Sequence, residues 1–453
     1  MIMPELTEQN SSEESLPETG MIGASDLFSV STTANEESDR PLVIALYSSV
    51  GSGHRSAAAS TAEAFAHLRG NHPLVPEDAD IELLDILDFG YMKFDGEKTT
   101  TLFTGPTRYI YDITWHYVLT GRLLWGGGSI WSYFMYSAFT RYVAKRKPIA
   151  IVTTHIVAAN AAVAARMITK FDFPVVCVPT DYGVEGLWPH RFSDLFCVAD
   201  ELMKEELYPR KVKPEDIKVT GIPVKPSFNQ EYDRTAVLEK YGLPVDKKIV
   251  LVIAGARLRQ PYVLFRELMD EIIEDLAAFD DMHFVFLTGS DEEYADQVRK
   301  HCTDCGVPNV SVYNYVEKIA ELMNAADLAI AKSGGLAVTE CLCSRLPLII
   351  VGRSFGQEDA NTTTVTRAGA AYQVLTSPEL LEKLREIQKD PAMLGRMIEG
   401  GAELRKPDSA RNVALATLEK VGNTAPIKNR FFWLYWGKKP LRTRSEAGRF
   451  VLC

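Results

Sequence analysis

Long apolar runs are missing from this chain. No stretch of about 18 apolar residues occurs, the length a helix needs to cross a bilayer, so no membrane span is expected. The first residues carry neither a basic cluster nor an apolar stretch, so a secretory signal is not expected either. Positive charge is also in deficit: the chain has 49 Lys and Arg against 60 Asp and Glu, which gives a formal net charge of −11. This balance argues against a general nucleic-acid binder.

Cysteine is scarce as well. Seven cysteines, an odd number, are scattered over 453 residues, which fits the reducing cytoplasm better than a disulfide framework. Cys302 and Cys305, and likewise Cys341 and Cys343, have spacings that occur in metal sites. Cys341 and Cys343 lie in an apolar helical run, which favours a structural role. We therefore expect no bound metal.

Against the negative total, positive charge is concentrated in two islands. Residues 91–148 hold eight Lys and Arg against three Asp and Glu, and residues 426–453 hold seven against one. Residues 1–40 hold nine acidic residues and one base, and their Glu, Ser and Thr content predicts disorder. Five of the six tryptophans lie in the two islands: Trp115, Trp125, Trp131, Trp433 and Trp436.

Aromatic rings flanked by Lys and Arg are typical of a membrane interface, where rings sit at headgroup depth and cations meet anionic lipid. The alternative is an aromatic core with basic residues facing solvent. Three consecutive glycines at 126–128 interrupt any compact helical core in the first island, which favours the interface. The sequence predicts a peripheral protein on an anionic membrane surface, at the inner face of the plasma membrane.

Short apolar strands alternate with helical segments between residues 41 and 425. The candidate strands are residues 42–47, 149–153, 175–178, 195–198, 249–254, 284–287, 328–331 and 348–351. This alternation is typical of βαβ units and parallel sheets. One sheet ends near Gly221 and a second starts near Lys248, with a proline-containing polar linker between them. The fold class predicted is α/β, with two doubly wound, Rossmann-like domains at 41–228 and 229–425 that face a central cleft.

The first domain offers two candidate catalytic residues. Residues 51–55 (GSGHR) follow the first strand, so His54 is expected to project into the cleft. Residues 179–182 (PTDY) follow another strand of the same sheet and bring Asp181 to the same rim. A His and an Asp at two strand ends form a plausible general-base pair. The alternatives are a solvated histidine in a tight turn and an aspartate that caps the next turn.

The second domain offers residues suited to a nucleotide and a sugar. Residues 332–340 (KSGGLAVTE) follow a strand, and their glycines lie where a helix N-terminus would hold a pyrophosphate. Glu340 is placed to accept the hydroxyls of a ribose. Residues 356–361 (GQEDAN) follow the next strand and suit sugar hydroxyls. The alternatives are a surface Glu on an amphipathic helix and a polar helix start.

Five segments, taken together, resemble the diacylglycerol glucosyl- and galactosyltransferases of glycosyltransferase family 28. They are residues 51–54 (GSGH), 178–190 (VPTDYGVEGLWPH), 219–228 (VTGIPVKPSF), 331–340 (AKSGGLAVTE) and 356–361 (GQEDAN). They occur in family order and cover roughly residues 41–420. The resemblance implies a GT-B fold, a lipid acceptor in the first domain, a UDP-sugar in the second, and inversion without a metal or other cofactor.

The resemblance also assigns roles. It places His54 at the reaction centre and Glu340 on the ribose. It implies that Gln357 and Glu358 face the donor sugar. The other residues expected to bind the donor are Gly255, Arg257, Ser333, Gly334, Gly335 and Asn361. Residues 255–260 (GARLRQ) depart from the family, whose members carry several glycines there, so bulky side chains meet the pyrophosphate or an arginine neutralises it.

The expected function is transfer of glucose or galactose from a UDP-sugar to diacylglycerol or a related lipid. Two alternatives stay open at this stage. One is the lipid-II-forming N-acetylglucosaminyltransferase, which shares the fold, although residues 180–182 and 188–190 favour the diacylglycerol group. The other is a non-catalytic, membrane-bound sensor of UDP-sugars.

Overall fold

A computed structural model describes residues 40–91, 132, 134–184, 187–190, 192–255, 262–354 and 356–424, and two short strands beyond them. Several sequence predictions fall outside the described residues. They are the disorder of residues 1–39, the donor role of Arg257, and the interface roles of Trp115, Trp125, Trp131, Trp433 and Trp436. These stay predictions. None of the helices in the described ranges is long and apolar enough to cross a membrane.

The first half of the chain builds a six-stranded parallel sheet with helices on both faces. Its strands are β1 Leu42–Tyr47, β2 Asp80–Asp85, β3 Ala150–Thr153, β4 Val175–Cys177, β5 Leu195–Val198 and β6 Ile217–Val219. Its helices are α1 Ser52–His67, α2 Ser137–Arg146, α3 Ile156–Thr169 and α4 Glu201–Leu207. The strand order is β2-β1-β3-β4-β5-β6, with every pair parallel. Strands β3, β4 and β5 are buried at every residue, which explains their apolar composition.

The second half repeats this architecture. Its strands are β7 Lys248–Ile253, β8 Met282–Leu287, β9 Val310–Tyr313, β10 Leu328–Ala331, β11 Leu348–Val351 and β12 Ala371–Val374. Its helices are α5 Arg234–Lys240, α6 Val263–Asp270, α7 Glu292–Asp304, α8 Ile319–Ala325, α9 Gly335–Cys343, α10 Gln357–Arg367, α11 Ser377–Lys389 and α12 Ala392–Gly400. The strand order is β12-β11-β10-β7-β8-β9, again parallel throughout.

These strand orders fix where each sheet binds ligands. In an open parallel sheet the crevice lies at the carboxyl ends of the two strands where the winding direction reverses. This reversal, the switch point of the sheet, falls between β1 and β3 in the first sheet and between β7 and β10 in the second. The loops that follow these four strands therefore define the candidate site.

The two halves pack tightly against each other. One apolar cluster includes Tyr182 of the first half and Leu336 of the second, so the core continues across the interface. A last helix, α13 (Ser409–Lys420), returns to pack beside α1, with Val413 in the same cluster as Val43. Gly221, just after β6, has a positive φ of 84°, and a Cβ there would lie 2.4 Å from Cβ of Lys406 and 3.1 Å from Cβ of Ser409, so glycine lets the backbone pass close to the segment that begins α13.

The predicted α/β class and the two sheets are confirmed, and all eight predicted strands are present with ends within two residues. Between β7 and β8 the described chain forms α6 and a separate 3₁₀ turn at Glu274–Ala278. Four strands, β2, β6, β9 and β12, are missing from the predictions. All four are edge strands, and their polar residues break the apolar run that marks a central strand.

Candidate active site

His54 lies in the first turn of α1, directly beyond the carboxyl end of β1. Its Nδ1 lies 2.9 Å from the carbonyl oxygen of Thr154, which follows β3, and 2.9 Å from Oγ1 of Thr180. The hydroxyl of Thr154 donates in return to the backbone carbonyl of His54 at 2.8 Å. A carbonyl oxygen can only accept, so Nδ1 carries the proton and Nε2 presents its lone pair.

The surroundings keep His54 neutral. Burial lowers its pKa to about 4, against the opposing effect of the hydrogen bond to Thr154. His155 packs edge-on against the ring, with centroids 4.6 Å apart, and burial holds the pKa of His155 well below its usual value. Near neutral pH both rings are uncharged, and His54 is in the form that accepts a proton.

Asp181 follows β4 on the same rim of the sheet, as predicted. Its Oδ1 accepts a hydrogen bond of 2.8 Å from Nδ2 of Asn361, a residue of the other domain. Burial raises the pKa of Asp181 to about 6, although the bond to Asn361 opposes that shift. His54 and Asp181 are thus brought to one edge, where Thr180 contacts His54 while Asp181 contacts Asn361. Their role as a base pair stays a prediction.

Asn361, in α10, joins the two domains. Its side chain is fully buried, its Oδ1 accepts from the backbone N–H of Tyr182 at 2.7 Å, and its Nδ2 donates to Asp181 and to the carbonyl of Ser333, each at 2.8 Å. Both amide hydrogens are therefore used by protein acceptors. The predicted contact of Asn361 with a donor sugar has only the remaining lone pair of Oδ1 available.

The domains also meet through glycines. A Cβ added to Gly335, at the start of α9, would lie 2.0 Å from the carbonyl oxygen of Thr180, so only glycine fits there. A Cβ on Gly53, in the His54 loop, would lie 3.3 Å from the side chain of Leu336. The hydroxyls of Tyr182 and Thr339 lie 3.2 Å apart. The cleft is closed around the amino end of α9.

The amino end of α9 keeps one open side. Among the residues that the structure describes, no side chain caps the helix at Gly334, and a Cβ added to Gly334 would meet nothing within 4 Å. Packing against the described residues therefore does not explain this glycine, and the open space beside it would allow close approach of a ligand. The backbone N–H groups of the first turn are positioned for an anion. The buried Ser333 beside them contacts Ser354, with hydroxyl oxygens 2.9 Å apart.

Glu340 lies about one and a half turns into α9, as predicted from the sequence. Its side chain is half-buried, and burial raises its pKa to about 7, while the charge of Lys225 acts in the opposite direction. The ionised form of a partly buried carboxyl group is stabilised by any hydrogen-bond donor that reaches it. The hydroxyls of a ribose supply donors of this kind.

Charged and aromatic groups surround the predicted sugar-binding residues. Lys332, directly after β10, forms an ion pair of 2.9 Å with Glu358 and lies 5.6 Å from the ring centre of Tyr262. Burial and the charges of Glu358 and Glu340 raise the pKa of Tyr262 to about 12, so its phenol stays protonated. Gln357 begins α10 and is half-buried beside this group.

Gly255 follows β7 at the second switch point. A Cβ there would lie 1.9 Å from the carbonyl oxygen of Thr288, so packing against the end of β8 already requires glycine. Its expected contact with the donor stays a prediction.

Four residues of this site have no role in the sequence-based predictions: Thr154, Thr180, Lys332 and Tyr262. Three of them follow a strand within three residues, at the carboxyl edge of a sheet. Their positions after β3, β4 and β10 can be recognised in the sequence. Only the strand order shows that these positions lie close together. Tyr262 carries no such signal, because it stands beyond the loop after β7.

Two family models match the chain and confirm the resemblance. Residues 249–413 match the glycosyltransferase family 28 C-terminal domain, and residues 102–224 match monogalactosyldiacylglycerol (MGDG) synthase. The chain is 30% identical to a processive diacylglycerol β-glucosyltransferase of Bacillus licheniformis over 248 residues, 54% of this chain and 63% of that protein. A Bacillus subtilis protein of the same description is 30% identical over 237 residues, 52% of this chain and 60% of that protein. The chain thus spans less than two thirds of the length of these relatives.

Solved structures confirm the GT-B fold. A Staphylococcus aureus MnaA–UDP structure superposes with a TM-score of 0.58 at 11% identity, covering 86% of this chain and 98% of that one. The MurG structure of Acinetobacter baumannii superposes with a TM-score of 0.52 at 15% identity, covering 84% and 99%. At these identities the likeness concerns the fold alone.

Proposed function

We propose that this chain, whose second domain is a family 28 glycosyltransferase domain, transfers a hexose from a UDP-sugar to diacylglycerol or a related lipid. One observation carries the proposal most directly. A neutral histidine with its Nε2 lone pair available lies across a closed interface from an uncapped helix N-terminus. Proton acceptance on one side and anion binding on the other are the two requirements of this reaction.

The reaction is a direct displacement. The lipid hydroxyl attacks the anomeric carbon, the bond from that carbon to the diphosphate oxygen breaks, and Nε2 of His54 takes the hydroxyl proton. The configuration at the anomeric carbon inverts. The closed contact between the domains keeps out water that would otherwise hydrolyse the donor.

Burial makes His54 a weak base, since it lowers the pKa to about 4. A bound diphosphate brings negative charge into the cleft and favours the protonated imidazole, so binding of the donor strengthens the base. Asp181, whose pKa of about 6 lies closer to neutral, assists or replaces it in this role.

The departing UDP is held by the second domain. The backbone N–H groups at the amino end of α9 and the ammonium of Lys332 supply positive charge near the diphosphate, and Glu340 accepts from the ribose. With the leaving group stabilised in this way, the scheme requires no metal ion or other cofactor.

The acceptor is a lipid, so the enzyme works at a membrane surface. The basic, tryptophan-containing islands at 91–148 and 426–453 are the docking segments, and the anionic inner face of the plasma membrane is the surface. Each basic residue near anionic lipid contributes about 1 kcal/mol, and salt screens this contribution.

Sedimentation with phosphatidylglycerol vesicles tests this docking. We expect strong binding at low salt and weaker binding as salt rises, with a salt-resistant remainder from the aromatic side chains. Deletion of residues 426–453 reduces the binding. Neutral phosphatidylcholine vesicles are the control. Full-length protein that stays in the supernatant at low salt contradicts the membrane proposal.

The activity is tested with a panel of radiolabelled UDP-sugars and a total lipid extract, followed by product analysis. We expect a glucosylated or galactosylated diacylglycerol, and the panel decides the sugar. Transfer of N-acetylglucosamine to a lipid pyrophosphate supports the lipid-II-type alternative instead. UDP-sugar binding without any turnover in the presence of lipid supports the sensor.

A further inference from the structure

Away from the cleft, three side chains of metal-binding type converge on the surface of the second domain. Among the described residues, Glu274, His301 and Cys305 place one ligand atom each within 4.8 Å of the other two. His301 and Cys305 stand four residues apart at the end of α7, so they share one face of the helix. Glu274 comes from the 3₁₀ turn at Glu274–Ala278.

The separations fit a tetrahedral ion. Sγ of Cys305 lies 3.2 Å from Oε1 of Glu274, and Nε2 of His301 lies 3.6 Å from the same oxygen. Zinc bonds of about 2.0 Å to nitrogen or oxygen and about 2.3 Å to sulfur, at tetrahedral angles, place neighbouring ligand atoms roughly 3.3 to 3.5 Å apart. An ion therefore fits among the three with small side-chain movements.

The site is accessible and separate from the proposed chemistry. Glu274 and Cys305 are exposed and His301 is half-buried, so an ion reaches the ligands from solvent. Glu274 precedes β8, and Cys305 precedes β9. Both thus lie toward the amino edge of the sheet, opposite the cleft at the carboxyl ends. Cys302, one residue beyond His301, turns inward into the apolar core and is not a ligand.

We propose that Glu274, His301 and Cys305 bind a zinc ion, with water at the fourth position. Carboxylate, imidazole and thiolate together are a ligand set that zinc accepts. In the metal-free state the Cys305 thiol donates a hydrogen bond to Glu274. On binding, the ion replaces the thiol proton, and one proton is released for each ion bound. The ion ties the 3₁₀ turn to the end of α7.

This site departs from the expectation, drawn from cysteine spacing, that the chain binds no metal. That expectation considered Cys302 with Cys305 as the ligand pair. The folded chain instead combines Cys305 with a histidine on the same helical face and a glutamate 31 residues away. Such a set is invisible to a search for paired cysteines.

Cobalt provides a direct test, because Co²⁺ occupies zinc sites and reports its ligands spectroscopically. Reduced full-length protein is titrated anaerobically with CoCl₂. We expect one equivalent to produce a near-ultraviolet thiolate-to-cobalt charge-transfer band together with visible bands of tetrahedral cobalt, and ZnCl₂ to abolish both. Cys305→Ser loses the charge-transfer band. Glu274→Gln keeps the thiolate but binds cobalt more weakly.

Cys302→Ser is the matched control and keeps the bands, because Cys302 is buried in the core. Circular dichroism verifies that each variant is folded. Glu274 and Cys305 are exposed, so their replacement should leave the core intact. Absence of the bands in the unmodified protein overturns the proposal. A charge-transfer band that survives Cys305→Ser overturns it as well. So does loss of the cobalt bands in Cys302→Ser while that variant stays folded.

Discussion

The two sheets share an architecture but differ at their switch points. In the first, His54 of the β1 loop is bonded to Thr154 of the β3 loop at 2.9 Å, and burial lowers the histidine pKa to about 4. In the second, Lys332 of the β10 loop lies over the ring of Tyr262 beyond β7 and pairs with Glu358 at 2.9 Å. One contact is neutral and desolvated, and the other is charged.

This difference indicates a division of labour. A neutral imidazole held through Nδ1 is suited to accept a proton, which is a transition-state task. A lysine, an uncapped helix end and a half-buried carboxyl group are suited to hold an anion and hydroxyls in the ground state as well. Variants of the first switch point should therefore change turnover, and variants of the second should change nucleotide affinity.

The largest expected effect follows from the first switch point. His54→Ala should lower turnover about 100- to 10,000-fold, the usual contribution of a general base, and leave UDP affinity nearly unchanged. Steady-state kinetics and calorimetry measure the two quantities. His67→Ala, an exposed histidine on the same helix, should leave both unchanged. Near-normal turnover in His54→Ala would transfer the role to Asp181.

The second switch point is tested most strongly at Glu340. Loss of a charge-assisted hydrogen bond costs about 1.5–3 kcal/mol, so Glu340→Ala should weaken UDP binding roughly 10- to 150-fold. The matched control is Glu382→Ala, an exposed glutamate of the same domain, which should bind UDP normally. If calorimetry finds equal UDP affinity in both variants, Glu340 has no part in the nucleotide site.

Lys332 tests the charge at this switch point. Lys332→Met keeps the apolar stem and should weaken UDP binding about tenfold while leaving uridine binding nearly constant, because only UDP carries the diphosphate. The single variant leaves Glu358 without its partner, so a Lys332→Met/Glu358→Gln double variant separates loss of the cation from an unpaired carboxylate. Equal losses for UDP and uridine would argue that Lys332 serves the fold.

The same contrast explains what could be predicted from sequence. The central strands were predictable, because burial on both faces makes each of them a nearly continuous apolar run. His54, Asp181 and Glu340 were predictable in position, because each lies in the loop or the helix that follows an apolar strand. Edge strands such as β2 were not, because charged residues such as Asp80 and Glu82 interrupt their apolar run.

Partners were harder to predict than positions. The bond between Asp181 and Asn361 joins residues 180 positions apart, and it depends on how the two domains close. The sequence predicts Gly335 to be a phosphate-binding glycine, whereas a Cβ added to it would lie 2.0 Å from the carbonyl oxygen of Thr180, so packing between the domains also requires glycine there. Local sequence carries no information on interdomain distance, so contacts of this kind emerge only from the folded chain.

The smallest expected effect concerns Glu340 and pH. Its folded-state pKa is about 7 against an ordinary value of 4.5, so between these values the folded protein holds a proton that the unfolded chain has lost. Stability from this group is therefore present at low pH and declines as pH rises from about 4.5 to about 7, after which it is constant. Glu340→Gln lacks the titration.

Urea unfolding from pH 4.5 to 8 measures this contribution as the difference in free energy of unfolding between the unmodified protein and Glu340→Gln. The difference should move by on the order of 1 kcal/mol in favour of Glu340→Gln as pH rises, less than the full shift implies, since the carboxyl keeps some solvent contact. Asp181 and His54 titrate in both proteins, so the subtraction cancels them. A difference that does not vary with pH would mean that Glu340 is solvated like an ordinary surface carboxyl, and the distinction between the two switch points would then rest on Lys332 alone.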